Sequence, residues 1–169
     1  VRIMNNLGVG GSDSASIYAA GNIKYVRVGG SLIGGGENSA TIIADGTIGK
    51  VAIGGNLQGS APGSASIISH AAPSESSPLA IGRVSVAGYI TGGASDTAVI
   101  GASSGSIGVV SVGGTIQGGG GGSASIHAQG SIKSLTIKGT VNPGALDSAQ
   151  IRAGADIAKI SLGGDFKGS

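Results

Sequence analysis

The sequence contains no cysteine, which excludes a disulfide framework, thiolate chemistry and any Cys-based metal site, whatever the compartment. Tryptophan is absent too, and aromatic residues make up only 2% of the chain, so a core built on large rings is ruled out. An enzyme acting on sugars would also lack the usual aromatic platforms. Charge is scarce: 11% of residues are ionic and the formal net charge is +2, too little for a basic nucleic-acid-binding surface. No apolar run approaches the length of a membrane span, so membrane insertion is not expected. Val1-Arg2-Ile3-Met4 does not read as the start of a signal peptide, and any targeting signal is expected outside this segment.

What the chain has instead is glycine, 36 residues in 169, and a 40% apolar content carried by Ile, Val, Leu and Ala. Those residues recur in register. Ser14-Ala15-Ser16-Ile17 returns as Ser39-Ala40-Thr41-Ile42, Ser64-Ala65-Ser66-Ile67, Thr97-Ala98-Val99-Ile100, Ser123-Ala124-Ser125-Ile126 and Ser148-Ala149-Gln150-Ile151, at spacings of 25, 25, 33, 26 and 25 residues. A second series runs in step: Val26-Arg27-Val28, Val51-Ala52-Ile53, Val84-Ser85-Val86, Val110-Ser111-Val112, Leu135-Thr136-Ile137 and Ile160-Ser161-Leu162, most copies followed by Gly-Gly. Self-similarity at such a period marks a repeat architecture.

The unit reads approximately GxIxxVxVGGxIxGGxxxSAxIxAx, as in residues 21–45 and 105–129. It holds three short runs of alternating apolar and small residues, bounded by Gly-Gly or by Asp/Asn-Ser, which is the signal of strands and turns; no stretch has a helical period. A coil of about 25 residues that returns to its start lays each strand on its counterpart about 4.8 Å away, as a parallel ladder. The expected fold is therefore all-β: a parallel β-solenoid, a right-handed β-helix by the usual crossover hand, with roughly seven coils of three strands in a single domain spanning 1–169. Ile23, Val26, Val28, Leu32, Ala40, Ile42 and Ala44 of the model coil are expected to point inward. One coil cannot stand alone: five large aliphatics contribute roughly 2 kcal/mol each, against about 1 kcal/mol or more to order each backbone residue. Stacking must supply the difference.

One coil is longer by about eight residues, which the Pro- and Ser-rich composition of 69–78 places in an ejected surface loop. His70 and Glu75 are its candidate contact residues, because insertions on solenoids often lie on a binding face.

Candidate chemistry is thin, and no catalytic, cofactor-binding or metal-ligating set emerges. Asp13, Asp96 and Asp147 share one repeat position, filled elsewhere by Asn38, Gly63 and Gly122, which points to a left-handed or Asx-type turn; a calcium site is the alternative. His70 and His127 fall far apart in the repeat. The runs Gly34-Gly35-Gly36 and Gly118 to Gly122 read as turns, since no helix follows to hold a phosphate. Lys24, Lys50, Arg83, Lys133 and Lys159 recur close after the first inward Ile, forming a stripe that either solubilises the rod or binds an acidic polysaccharide.

In the Ser-Ala-Ser-Ile stretch both hydroxyl positions are expected to point outward, giving a flat double file: Ser14/Ser16, Ser39/Thr41, Ser64/Ser66, Thr97/Val99, Ser123/Ser125 and Ser148/Gln150. Beside it, Tyr18, Ile43 and Ile68 would form an exposed apolar strip across three coils. Such a face suits lateral packing on another solenoid. Its hydroxyl files also resemble the ice-binding faces of some β-solenoid antifreeze proteins, although Val99 and Gln150 interrupt them.

The repeated GxIxxVxVGG followed by SAxI, as in Gly21 to Ile42 and Gly105 to Ile126, resembles the Gly-rich β-strand repeats of large secreted bacterial surface proteins of the adhesin and autotransporter-passenger kind. The resemblance implies an extracellular or cell-surface location and a role as stalk, filament or adhesive rod. The expected function is thus a non-enzymatic structural segment whose partner is itself, end to end or laterally. Carbohydrate or ice binding on the Ser/Thr face is the alternative.

Overall fold

The computed structural model describes residues 1–8, 10–73 and 79–168. Its strands follow the repeat coil by coil. The first coil carries β1 (Arg2–Ile3), β2 (Leu7–Gly8) and β3 (Ile17–Ala19), and the second β4 (Ile23–Val28), β5 (Leu32–Gly34) and β6 (Ile42–Ala44). Next come β7 (Ile48–Ile53), β8 (Leu57–Gly59) and β9 (Ile67–Ser69), then β10 (Leu79–Val86), β11 (Ile90–Gly92) and β12 (Ile100–Ala102). The series ends with β13 (Ser106–Val112), β14 (Ile116–Gly118), β15 (Ile126–Ala128), β16 (Ile132–Ile137), β17 (Val141–Asn142), β18 (Ile151–Ala153) and β19 (Ile160–Leu162).

Every ladder is parallel, and each strand pairs with the strand one coil away. Three sheets result. Sheet A takes β1, β4, β7, β10, β13, β16 and β19; sheet B takes β2, β5, β8, β11, β14 and β17; sheet C takes β3, β6, β9, β12, β15 and β18. The chain is a β-solenoid of about six turns, with about 25 residues per turn and no helix among the described residues.

The core is a narrow stack of aliphatic files. Ile23, Val26, Val28, Leu32, Ala40, Ile42 and Ala44 are all buried, as the repeat predicts, and their counterparts continue the files up the axis. In sheet A the burial does not alternate strictly: Ile23 and Val26 are inward with two exposed residues, Lys24 and Tyr25, between them. The ladder register passes over Lys24 there, pairing Ile23 with Ile48 and then Tyr25 with Lys50.

Corners are held by polar side chains that accept the next coil's backbone N–H. Between sheets A and B, Asn6 Oδ1 accepts from Ser31 N at 2.8 Å, Ser31 Oγ from Asn56 N at 2.9 Å and Asn56 Oδ1 from Tyr89 N at 3.2 Å. Between sheets C and A, Asn22 Oδ1 accepts from Thr47 N at 2.7 Å and Ser106 Oγ from Ser131 N at 3.0 Å. Strand ladders cannot reach around a corner, so these side chains satisfy backbone donors that would otherwise be left unpaired.

The long coil keeps its register further into the Pro- and Ser-rich stretch than the composition suggests. Ser69 is the last residue of β9 and fully buried, its hydroxyl donating to Gly46 O at 2.9 Å, and His70 N still donates to Ala44 O at 2.9 Å. The departure from the coil therefore begins after His70. Glu75 lies outside the described residues.

Candidate functional site

The turn between sheets B and C and the outer side of sheet C carry most of the residues singled out in the sequence. The turn itself is built from hydroxyls. Ser39 Oγ donates to Gly36 O at 2.6 Å and accepts from Gly36 N at 3.1 Å. The same closure across three residues recurs as Ser14 to Gly11 O at 2.7 Å, Thr97 to Ala94 O at 2.9 Å, Ser123 to Gly120 O at 2.5 Å and Ser148 to Ala145 O at 2.7 Å. Ser64 closes on Ala61 O in the same way.

These turns enter left-handed backbone twice. Asp13, Asn38, Gly63, Asp96, Gly122 and Asp147 have φ between +50° and +70°, the left-handed turn expected from their residue types. Two residues later Ala15, Ala40, Ala65, Ala98, Ala124 and Ala149 do so as well, with φ between +51° and +56°. A left-handed alanine costs roughly 1–2 kcal/mol, and nothing in the residue type announces it. It resets the direction of the chain, so sheet C begins at the Ile and not at the Ser.

That reset corrects the expected hydroxyl face. Ser39, Ser64, Thr97 and Ser123 are completely buried, and Ser14 is half-buried. They do not point outward; they tie the turn together beneath the surface. The second file is also largely withdrawn: Thr41, Ser66 and Ser125 are buried along with Val99, and only Ser16, on the first coil, is exposed. Ser16 Oγ and Thr41 Oγ1 lie 2.8 Å apart, and Ser66 Oγ donates to Gly63 O at 3.1 Å. Among the described residues no fully buried side-chain N or O lacks a partner, so the turn hydroxyls are spent on internal bonds, while Ser16, Thr41, Ser66 and Ser125 still edge a surface groove. The apolar strip is reduced likewise. Tyr18 is exposed, but Ile43 and Ile68, in register with it, are half-buried.

The glycine that ends the sheet-B strands, β17 excepted, explains why the serines are buried. A Cβ on Gly34 would stand 2.4 Å from the Cβ of Ser64 and 2.7 Å from the backbone N of Ala65, one coil on. A Cβ on Gly92 would stand 2.5 Å from that of Ser123. The Leu-x-Gly and Ser-Ala motifs are thus two halves of one contact.

What remains outside is a shallow groove along the axis. One stretch, about 320 Å³, is lined by Asp13, Ser16, Thr41, Ile43 and Ile68; the next, about 370 Å³, by Ile68, Asp96, Val99, Ser125, His127 and Arg152. Gly63, Ser66 and Ile68 belong to both, so the two are continuous. Its lining residues Ile43, Ile68, His127 and Arg152 belong to one register file, which runs Tyr18, Ile43, Ile68, Gly101, His127 and Arg152. The missing side chain at Gly101 lets the His127 ring lie over it: a Cβ there would be 2.8 Å from Nε2. Burial pushes the His127 pKa below its ordinary value and the Arg152 charge pushes it the same way, while Asp96 opposes both. At the groove's other end, the Tyr18 hydroxyl donates to Asp45 Oδ2 at 2.6 Å, and that bond to a carboxylate holds the phenol above its ordinary range.

His70 is exposed and is not among the groove-lining residues. Among the described residues no group of three or more His, Cys, Asp or Glu is close enough to hold a metal ion. The basic stripe divides. Tyr25, Lys50 and Arg83 share one file of sheet A, with Lys50 Nζ 5.5 Å from the centre of the Tyr25 ring. Lys24 stands one residue earlier. Sequence reasoning overlooked Arg2 and Arg27, in register with each other on the same sheet, although their shared repeat position, preceding the last inward residue of the strand, could have revealed them.

Fold and surface define the class: a glycine-rich parallel β-solenoid with internally satisfied turns. Compared with protein-family models, curated proteins and solved structures, the chain has no significant match.

Proposed function

We propose that this chain is a non-enzymatic structural segment of an extracellular or cell-surface β-solenoid, a stalk or filament element that assembles with copies of itself. The observation that carries the reading is the uniformity of the rod. Three parallel ladders run from the first coil to the last, the aliphatic files are buried through the middle coils, and the same hydroxyl bond closes each turn between sheets B and C. Such a structure is quasi-one-dimensional: each coil contacts only its neighbours, so it gains stability by adding coils. The extracellular assignment rests on the resemblance to Gly-rich surface-protein repeats. Burial of most of the hydroxyls leaves little flat Ser/Thr surface for ice binding or lateral packing, so association along the stacking axis is preferred to packing through the serine face. Negative-stain imaging and light scattering of the purified chain test this. Rods much longer than about 30 Å, the height of about six turns at about 4.8 Å each, are expected, and uniform monomers at high concentration would sink the assembly reading.

A further inference from the structure

The net charge of +2 conceals a division of charge between faces. Arg2, Lys24, Arg27, Lys50, Arg83 and Lys133 all lie in strands of sheet A, and all are exposed. Lys138 follows β16 directly and Lys159 directly precedes β19, which brings eight of the ten basic residues to this one sheet. Among the described residues no acidic side chain lies in its strands. The described acids stand at turns and corners, as Asp13, Glu37, Asp96 and Asp147 do between sheets B and C.

The arrangement within the face is unfavourable for the isolated molecule. Arg2 is in register with Arg27, and Lys50 with Arg83, so like charges face each other across adjacent strands. Such pairs are destabilising. A surface serving solubility alone intersperses the two signs; here cations are stacked and acids are kept away. The remaining outward positions in register with Arg27 are small: Ala52, Ser85, Ser111 and Thr136. Cations interleaved with hydroxyls on a flat sheet can pair with carboxylates or sulfates and hydrogen-bond to sugar hydroxyls. Tyr25, under the Lys50 ammonium, adds one ring.

We propose that the outer face of sheet A binds an acidic polysaccharide, a linear carboxylated or sulfated glycan lying along the solenoid axis. A membrane surface fits poorly, because interfacial binding needs large apolar side chains to insert. Single-stranded nucleic acid fits poorly for want of stacking rings beyond Tyr25. The proposal is independent of rod assembly, since binding is read whatever the particle length.

The test is calorimetric titration of the full chain with polygalacturonate, sulfated dextran, neutral dextran and a single-stranded oligonucleotide, at low and high ionic strength. Binding to the two acidic glycans is expected, weakening with salt, with none to neutral dextran. The R27S/K50S/R83S variant should bind roughly tenfold more weakly, as three exposed charges of modest individual strength imply. K24S/K133S should weaken binding less, and R152S/K167S, off this face, should bind as the parent does. Circular dichroism establishes that each variant is folded; because all these side chains are exposed, a fold defect in one set leaves the other to decide. No binding to either acidic glycan, equal loss in R152S/K167S, or undiminished binding by both sheet A variants would each overturn the proposal. Tighter binding to the oligonucleotide than to the glycans would overturn the choice of ligand.

Discussion

Two files of polar residues run the length of this solenoid and meet opposite fates. The file that begins each Ser-Ala motif, Ser39, Ser64, Thr97 and Ser123, is fully buried and bonded within its own turn. The outward file of sheet A, from Arg27 through Ala52 and Ser85 to Ser111, lies at the surface. In sequence both look alike: small polar residues next to inward aliphatics. They differ in backbone. Sheet A residues sit in extended strands, where parity decides which side a residue faces, whereas the serines are followed by a left-handed alanine that cancels parity.

The strongest way to break that comparison is to put the same side chain in both files. Ser64→Lys forces an ammonium into a site with no counter-charge, where Gly34 allows no room, and is expected to lower stability by at least about 3 kcal/mol. Ser85→Lys places the same group on the half-buried outer position of β10 and should change stability by less than about 1 kcal/mol. Urea denaturation followed by circular dichroism measures both. Similar midpoints for the two variants would show that the Ser64 file is surface after all.

That pair also marks what was legible in the sequence. The period, the three strands per coil and the inward files Ile23, Val26, Val28, Leu32, Ile42 and Ala44 were legible, because a repeat offers six readings of each position and the apolar alternation is strong. The left-handed turn at Asp13, Asn38 and Gly63 was legible through residue type. The alanine turn was not, since alanine is at home in strands, helices and turns alike. Its only trace was the shared Leu-x-Gly and Ser-Ala spacing, whose meaning depends on a contact between coils. The charged face was half legible: a basic stripe is visible in the repeat, but the absence of acids from sheet A requires the sheet assignment.

A smaller effect separates the groove from the charged face by pH. His127 is half-buried over Gly101 with its pKa lowered, so between the folded value and the unfolded value of about 6.5 the unfolded chain holds more protons. The stabilisation is complete above the unfolded value and is lost as pH falls below it. His127→Gln should flatten this part of the melting-temperature profile, while Lys50→Ser should leave its shape unchanged. A profile with the same slope in parent and H127Q would mean that the ring's seat in the groove contributes nothing.

The subtlest comparison lies between two buried alanines of neighbouring coils. Ala124→Gly removes a buried methyl and loosens the unfolded chain, each costing about 0.5–1 kcal/mol, but it also releases a left-handed alanine at φ +51° that is strained by roughly 1–2 kcal/mol. The terms nearly cancel, and a change within about 1 kcal/mol of zero is expected. Ala102→Gly removes an equally buried methyl from strand β12, where no such strain exists to be released. It should therefore be the more damaging of the two by about 1–2 kcal/mol. Equal losses would mean that the turn relaxes its neighbours enough to carry alanine without strain, and that the Cβ alone explains why glycine does not fill this position in any coil.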